Sequence, residues 1–445
     1  MNEKNSTKQI LGKLIAFSIP LILSGLLQQL FNWVDALIVG NIIGEHALAG
    51  IGTTASLYNL FITALVGFTS GLSVLFAQQF GEGRHEENAK LLASYSIILT
   101  FLFSVIAVTG MFFTVPILRL MNTPQLLFDY AKDYLLVVFM GIPFLAVYNT
   151  YSAALRGMGN SKVPFAAVLI SSVTNVVLDY VFIAFFHMGV LGAAAATVIS
   201  QIAMTVYIVL YTVTKYSELR FSPFNMRQHR SAVKKGAEFS TPPAVQSSVS
   251  SVGNLLLQKF MNGLGEQTVA AITTAYRVDS VLLMPIINFS TAISTLVAQE
   301  TGAGNKETAK KIFRLGAIFM VVLSLVLTVV LIAAGEMLLS IFGLTAESVL
   351  IGKRFFRTIA VFYIIYGISM SIKGYLEGTS DMLFSGITGI CALGVRVVCS
   401  YLFEDIWGNM VVAYAEAFSW IFLLIVFLMR YFYRTMREAE GRKNA

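Results

Sequence analysis

The sequence has few charged residues, few histidines and only two cysteines, and each scarcity excludes a class of protein. Charged residues make up 12% of the 445 residues and hydrophobic residues 56%. A soluble domain could not bury so many hydrophobic side chains. Cys391 and Cys399 lie about 12 Å apart along one predicted helix, which excludes a disulfide between them. With four histidines and neither a His-Glu-x-x-His nor a Gly-x-Ser-x-Gly motif, an intramembrane enzyme is not expected.

Long apolar stretches fill the chain instead. Each is long enough to cross a hydrocarbon core of roughly 30 Å as a helix. Turn and charge signals predict twelve spans near residues 14–40, 46–80, 90–115, 130–156, 163–186, 189–214, 236–262, 267–300, 308–335, 351–377, 382–405 and 408–434. We therefore predict an all-α membrane protein with twelve transmembrane helices and no soluble domain.

The basic residues are unevenly distributed between the two sides of these spans. With a cytoplasmic N-terminus, 23 of the 31 Lys and Arg residues fall in cytoplasmic segments and five in outer loops. The positive-inside rule thus predicts a multi-pass protein of the cell (inner) membrane with both termini in the cytoplasm. The net charge of +7 then requires no nucleic-acid partner, because anionic membrane lipids attract the basic residues.

The two halves of the sequence are related. Residues 17–20 (Phe-Ser-Ile-Pro) recur as residues 239–242 (Phe-Ser-Thr-Pro), and Leu-Arg-Gly at 155–157 recurs as Leu-Glu-Gly at 376–378, a spacing near 221 residues. Each half holds six spans, so we expect two parallel-repeat six-helix lobes around a central cavity. The predicted boundaries are an N-terminal lobe at 1–214, a cytoplasmic linker at 215–238, and a C-terminal lobe with its tail at 239–445.

This duplicated plan is typical of secondary transporters, and we expect a monomer. A channel would instead show a selectivity filter or a charged ring supplied by several subunits.

Ionisable residues inside the predicted spans mark candidate sites, because a charge at the bilayer centre costs about 2.5 to 3.5 kcal/mol. Asp35 and Asp179 lie at similar depths below the outer ends of their spans, Asn175 shares a helix face with Asp179, and Thr197 reaches the same level. Such oxygen ligands suit Na⁺, or a proton held between two carboxyls. The alternative is that each acid is only hydrogen-bonded between helices.

The second half lacks this arrangement. The residues at the corresponding positions of Asp35, Asn175 and Asp179 are Leu256, Arg396 and Ser400. Arg396 is level with Glu416, and we predict that these two side chains form a structural ion pair. Asp279 is a candidate to line the cavity as a second protonation or substrate site.

Several signatures resemble the multidrug and toxic compound extrusion (MATE) family, and most closely its DinF-like branch. They are Pro20, Gln28 and Asp35 in the first span, Gly-Glu-His-Ala-Leu-Ala at 44–49, Ala-Gln-Gln-Phe-Gly-Glu-Gly at 77–83, and Leu-Arg-Gly-Met-Gly-Asn at 155–160. The resemblance implies a multidrug efflux antiporter without a cofactor. Such a protein exports amphiphilic, often cationic, drugs or metabolites in exchange for H⁺ or Na⁺ by alternating access.

The resemblance also implies roles for individual residues. The cation site is expected at Asp35, Asn175, Asp179 and Thr197, and the first helix is expected to bend at Pro20. Candidate substrate contacts are Gln28, Phe31, Tyr134, Asn149, Tyr276 and Asp279. Where the NorM-like branch has acids in the seventh and tenth spans, this chain has Ser250, Tyr363, Tyr366 and Ser369, which argues against a coupling site in the second half.

A lipid-linked oligosaccharide flippase of the same superfamily is the alternative function, and it would favour a cationic cavity able to hold pyrophosphate.

Overall fold

The computed structural model describes residues 7–219 and 230–443, and within these ranges it is helical, with no β-strand. The α-helices are α1 (Thr7–Ile42), α2 (Glu45–Gly81), α3 (His85–Leu120), α4 (Gln125–Phe139), α5 (Ile142–Gly157), α6 (Lys162–Asp179), α7 (Gly189–Lys215), α8 (Arg230–Met261), α9 (Glu266–Gly302), α10 (Lys306–Ile341), α11 (Ala346–Ala360), α12 (Tyr363–Gly378), α13 (Met382–Leu402), α14 (Glu404–Trp407) and α15 (Val411–Lys443). A π-helical segment at Tyr180–Phe185 continues α6, and short 3₁₀ segments occupy Ser217–Leu219 and Gly408–Met410.

The internal repeat of the sequence is visible in these helix boundaries. Four successive helices, α2 to α5, begin and end near 221 residues before α9 to α12. The bend between α4 and α5 is 46°, and the bend between α11 and α12 is 49°, so each pair forms one bent span. The halves differ in their last two helices, because only α6 ends in a π-helical segment.

Repeated local chemistry explains the shared boundaries. Gly44 and Gly265 precede α2 and α9 with φ angles of 117° and 92°, a conformation that favours glycine. Glu45 and Glu266 then occupy the first turns of these helices, where a negative side chain interacts favourably with the helix dipole. The same residue types thus start the same helix in both halves.

The chain divides into two compact units, and both divisions fall inside helices. We call Ile19–Ala244 the N-terminal unit, and Met1–Ser18 with Val245–Ala445 the C-terminal unit. α1 and α8 therefore each contribute residues to both units. In both helices the division lies within three residues of a proline, Pro20 in α1 and Pro242 and Pro243 in α8.

Nine single helices and the two bent pairs are long and apolar enough to cross a membrane, among the described residues. α8 is nearly as long as its neighbours but is not apolar enough to be counted among them. Seven of the twelve residues at 240–251 are Ser, Thr or Gln. A seventh span was predicted there as an apolar stretch, and its apolar character is the part of that prediction that fails.

Part of the predicted linker at 215–238 is helical. Ser217–Leu219 is a 3₁₀ turn, and α8 begins at Arg230, before the predicted start of the seventh span. Residues 220–229 of the linker lie outside the described residues, as do residues 1–6 of the N-terminal segment.

Candidate functional site

The first candidate site lies in the N-terminal unit, at the end of α6. Asp179 is the last residue of α6, and the helix then widens into the π-helical segment Tyr180–Phe185. Single π-helical turns occur frequently at functional sites, because they shift the register of the side chains that follow. Nothing in the apolar pattern of this span predicted the π-helix.

Two carboxyl groups meet at this point. The side-chain carboxyl groups of Asp35 on α1 and Asp179 lie close enough to interact directly. Asp179 has no solvent exposure, and Asp35 is half-buried. A hydrogen bond between two carboxyl groups needs a proton on one of them, so the pair can hold one proton and one negative charge.

A polar layer packs beside the acids. The Nδ2 of Asn175 donates to the Oγ1 of Thr197 at 3.4 Å, and the Thr197 hydroxyl donates to the Ala193 carbonyl at 3.0 Å. The side chain of Tyr134 on α4 also lies next to the Thr197 hydroxyl. The structure therefore brings Asp35, Asn175, Asp179 and Thr197, with Tyr134, into one cluster built from α1, α4, α6 and α7.

Two further polar residues lie near this cluster that the sequence did not single out. The Nε2 of Gln201, one turn after Thr197 on α7, donates to the hydroxyl of Tyr58 on α2 at 3.1 Å. The Tyr58 and Tyr134 hydroxyls are close enough to interact electrostatically. The spacing of Thr197 and Gln201 at i and i+4 was the available signal, since such residues share a helix face.

The remaining candidates of the first half are not part of the acid cluster. Gln28 is exposed and Phe31 is half-buried on α1, on the same helix face as Asp35. The side-chain amide of Asn149 donates to the Leu145 carbonyl of its own helix at 2.8 Å.

A second polar cluster lies in the C-terminal unit. The Nη2 of Arg396 on α13 is 3.1 Å from Oε2 of Glu416 on α15. The same nitrogen donates to the hydroxyl of Tyr276 on α9 at 2.7 Å, and the guanidinium carbon lies 5.2 Å from the centre of the Tyr276 ring. The Tyr276 hydroxyl also lies next to the Glu416 carboxylate. The three side chains thus form one buried cluster, although the Nε of Arg396 has no hydrogen-bond partner among the described residues.

Asp279 is held one turn further along α9. The hydroxyl of Tyr363, the first residue of α12, donates to the Asp279 carboxylate. Asp279 is 2% exposed and Tyr363 is fully buried, so both groups are shielded from solvent. Among residues 7–219 and 230–443, no group of three or more His, Cys, Asp or Glu side chains could hold a metal ion.

These observations define a helical, multi-pass membrane protein of two related halves, with a buried pair of acids in one of them. The MatE family model matches the chain twice, at residues 20–181 and 242–402. The chain belongs to the MatE family, and the resemblance found in the sequence is confirmed. The double match corresponds to the internal repeat, while membership of the DinF-like branch stays a prediction.

Individual relatives extend over nearly the whole chain. The probable multidrug resistance protein YoeA of Bacillus subtilis is 28% identical over 439 residues, 96% of this chain and 94% of the relative. The probable multidrug resistance protein NorM of Thermotoga maritima is 26% identical over 85% of this chain and 82% of its own length.

A solved structure supports the fold. A structure described as the outward-facing conformation of a multidrug resistance MATE family transporter of the MOP superfamily has a TM-score of 0.89 and 21% identity, covering 99% of this chain and 98% of that one. The predicted fold class, an all-α membrane protein of twelve transmembrane helices, is confirmed by this likeness.

Proposed function

We propose that this protein is a secondary active antiporter that exports amphiphilic, often cationic, drugs or metabolites in exchange for H⁺ by alternating access. The observation that carries the proposal is the close approach of the Asp35 and Asp179 carboxyl groups, with Asp179 fully buried, inside a helical membrane unit. We place the protein in the cell (inner) membrane as a monomer with both termini in the cytoplasm, acting without a cofactor or catalytic residue.

The acid pair supplies a means of coupling. When the shared proton leaves, two negative charges face each other in a buried setting, where their repulsion is much stronger than in water. The pair must then separate or accept a cation. A ligand shifts a conformational equilibrium only through its different affinity for the two states, and here the proton has that difference, since it holds Asp35 against Asp179.

α1 is suited to respond to this change. Only a third of the residues in its most apolar stretch are buried, so few packing contacts hold it in place. Pro20 lies inside the helix and cannot donate a backbone hydrogen bond, which lowers the cost of bending there. Asp35 is on the same helix, so protonation of the acid pair and bending of α1 at Pro20 are linked.

The same helix offers a place for the substrate. Gln28, Phe31 and Asp35 share one face of α1, and this face combines an amide, an aromatic ring and a carboxyl. A cationic amphiphile fits such a set, because the ring attracts a cation and the carboxylate becomes available when the proton leaves. This arrangement supports export of cations over the flippase alternative, which needs a cationic cavity for pyrophosphate.

Two neutral variants and a matched control test the proposal. Asp35→Asn and Asp179→Asn should reach the membrane and lose gradient-driven export, because in either variant the remaining acid has no second carboxyl group with which to share a proton. Asp279→Asn is the control, since Asp279 on α9 is a buried acid like Asp179, and it should affect export less.

The measurements are substrate export by membrane vesicles and equilibrium substrate binding across a range of pH and Na⁺ concentration. The two variants should retain binding but lose its dependence on pH. Normal coupled export by Asp179→Asn, or complete loss confined to Asp279→Asn, would contradict the assignment. Export driven by Na⁺ at constant pH would identify Na⁺ as the coupling ion.

A further inference from the structure

The last helix carries an arginine cluster beside an open cavity that the transport proposal does not use. The cavity has a volume of about 470 Å³ and is lined by Thr379, Ser380, Asp381, Arg430, Tyr433, Arg434, Arg437 and Glu438. All of these residues belong to the turn before α13 or to the C-terminal end of α15. From this geometry we infer that the cavity binds the phosphodiester headgroup of an anionic phospholipid.

Two of the arginines are held in fixed positions. The Nε and Nη2 of Arg430 donate to the two carboxylate oxygens of Asp381 at 2.7 and 3.1 Å. Arg434 donates to the Thr379 hydroxyl at 3.0 Å and to the Thr379 carbonyl at 3.3 Å. Both guanidinium groups remain about one third exposed, so each presents further N–H donors to the cavity, as phosphate recognition requires.

The cavity has an excess of positive charge. Asp381 opposes Arg430 and Arg434, while Glu438 pairs with Lys310 at 3.0 Å. Arg437, one turn beyond Arg434, is exposed. Among the residues that line the cavity, Asp381 is the carboxylate without a lysine partner, and it faces the three guanidinium groups. This excess of positive charge favours an anionic ligand.

The arginines are not needed to attach the turn to the last helix. At the corresponding place in the first half, Asn160 donates to the hydroxyl of Tyr216 at 3.0 Å, and this neutral hydrogen bond joins the same turn to the residue that directly follows α7. The residues of α7 that correspond to Arg430 and Arg434 are Val209 and Val213. The charge is therefore an addition in the second half that the shared fold does not require.

An apolar stripe for acyl chains runs beside the arginines. Ile425, Met429, Phe432 and Met436 are 51 to 66% exposed and follow one another at helical spacing along a single face of α15. Tyr433 lies between this stripe and the arginine face, as aromatic residues do at membrane interfaces. Leu383 and Ile387, on the first turns of α13, are also exposed.

Together these features match the two parts of a phospholipid. The arginine face would bind the phosphate, and the apolar stripe would contact the acyl chains. Free phosphate shares the headgroup chemistry but has no use for the stripe, so we assign the site to the lipid. This end of α15 is the one that the charge distribution is expected to place at the cytoplasmic surface, where anionic lipids attract basic residues.

The test uses the purified full-length protein in detergent, titrated with short-chain phosphatidylglycerol while its thermal unfolding and lipid-bound mass are measured. Phosphatidylcholine of the same chain length and inorganic phosphate are separate arms. Arg437→Gln removes an exposed cation that forms no hydrogen bond or ion pair with the residues the structure describes, and Arg314→Gln removes an exposed arginine on α10 as the control.

Phosphatidylglycerol should stabilise the protein and bind as a discrete adduct, and Arg437→Gln should weaken its apparent affinity about five-fold. Arg314→Gln should leave the affinity unchanged. Equal binding of the zwitterionic lipid, equal stabilisation by inorganic phosphate, or an undiminished affinity of Arg437→Gln would each overturn the assignment.

Discussion

Removing one member of the Arg396–Glu416 pair should damage the protein far more than removing both. The two side chains are 3.1 Å apart, and their side chains are 17% and 7% exposed. A buried charge that loses its partner costs about 3 to 5 kcal/mol, whereas replacing both charges by neutral groups of similar volume is often without cost. The variants are Arg396→Met, Glu416→Gln and the double mutant.

The contacts of Tyr276 predict an asymmetry between the two single variants. In Glu416→Gln, Arg396 keeps its hydrogen bond to the Tyr276 hydroxyl at 2.7 Å and its position over the ring, and a glutamine oxygen can still accept a bond from it. In Arg396→Met, the Glu416 carboxylate loses the guanidinium and keeps the neutral Tyr276 hydroxyl beside it. We therefore expect Arg396→Met to lower the free energy of unfolding by about 5 kcal/mol and Glu416→Gln by about 3 kcal/mol or less.

The assay is the free energy of unfolding in detergent, arranged as a double-mutant cycle. Glu336 and Lys353 supply the control cycle, because their ion pair is far more exposed and exposed pairs couple weakly. The coupling between Arg396 and Glu416 should exceed about 2 kcal/mol and that of the control cycle should be much smaller. A double mutant no better folded than Arg396→Met, or equal coupling in the two cycles, would refute the reasoning.

Three further perturbations follow from the packing. Tyr363→Phe should lower stability by about 1 to 3 kcal/mol, since it leaves the buried Asp279 carboxylate without its donor, whereas Asp279→Asn should be milder in the same unfolding assay. Gly71→Ala should cost about 1 to 3 kcal/mol, because its Cβ would meet backbone atoms of Phe239 and Ser240 at 2.3 and 2.6 Å, while Gly52→Ala, with nothing within 4 Å of its Cβ, should not destabilise. Pro20→Ala should retain the fold in detergent but export more slowly from vesicles, and unchanged export rates would argue against bending at this residue.

Much of the architecture was predictable from the sequence because the bilayer imposes a simple rule. Each span needs a long apolar run, and the two halves repeat the same turn signals, so Gly44 and Gly265 mark equivalent helix starts. The prediction was weakest at α8, whose polar residues depart from that rule, and at the π-helical segment after Asp179, which depends on backbone hydrogen bonding rather than on an apolar period.

The sites were predictable only as far as depth in the membrane determines contact. Their equal depth predicts that Asp35 lies near Asp179 and Arg396 near Glu416. In the structure, the members of each pair are in contact. Tyr363 with Asp279, and Tyr58 with Gln201, join residues 84 and 143 positions apart. Their pairing depends on which helices are neighbours, and depth alone does not specify that.

The polar character of α8 has a consequence for the biosynthesis of the protein. A segment with so many serines and two consecutive prolines gains little free energy on entering lipid, because insertion during synthesis depends on summed residue hydrophobicity. α9 follows after a short turn, and it contains an apolar window that qualifies as a span. Lys234 and Lys235 near the start of α8 favour keeping that end on the cytoplasmic side. We therefore expect α8 to enter the membrane together with α9, as a helical hairpin, so that assembly of the second half begins with two helices rather than one.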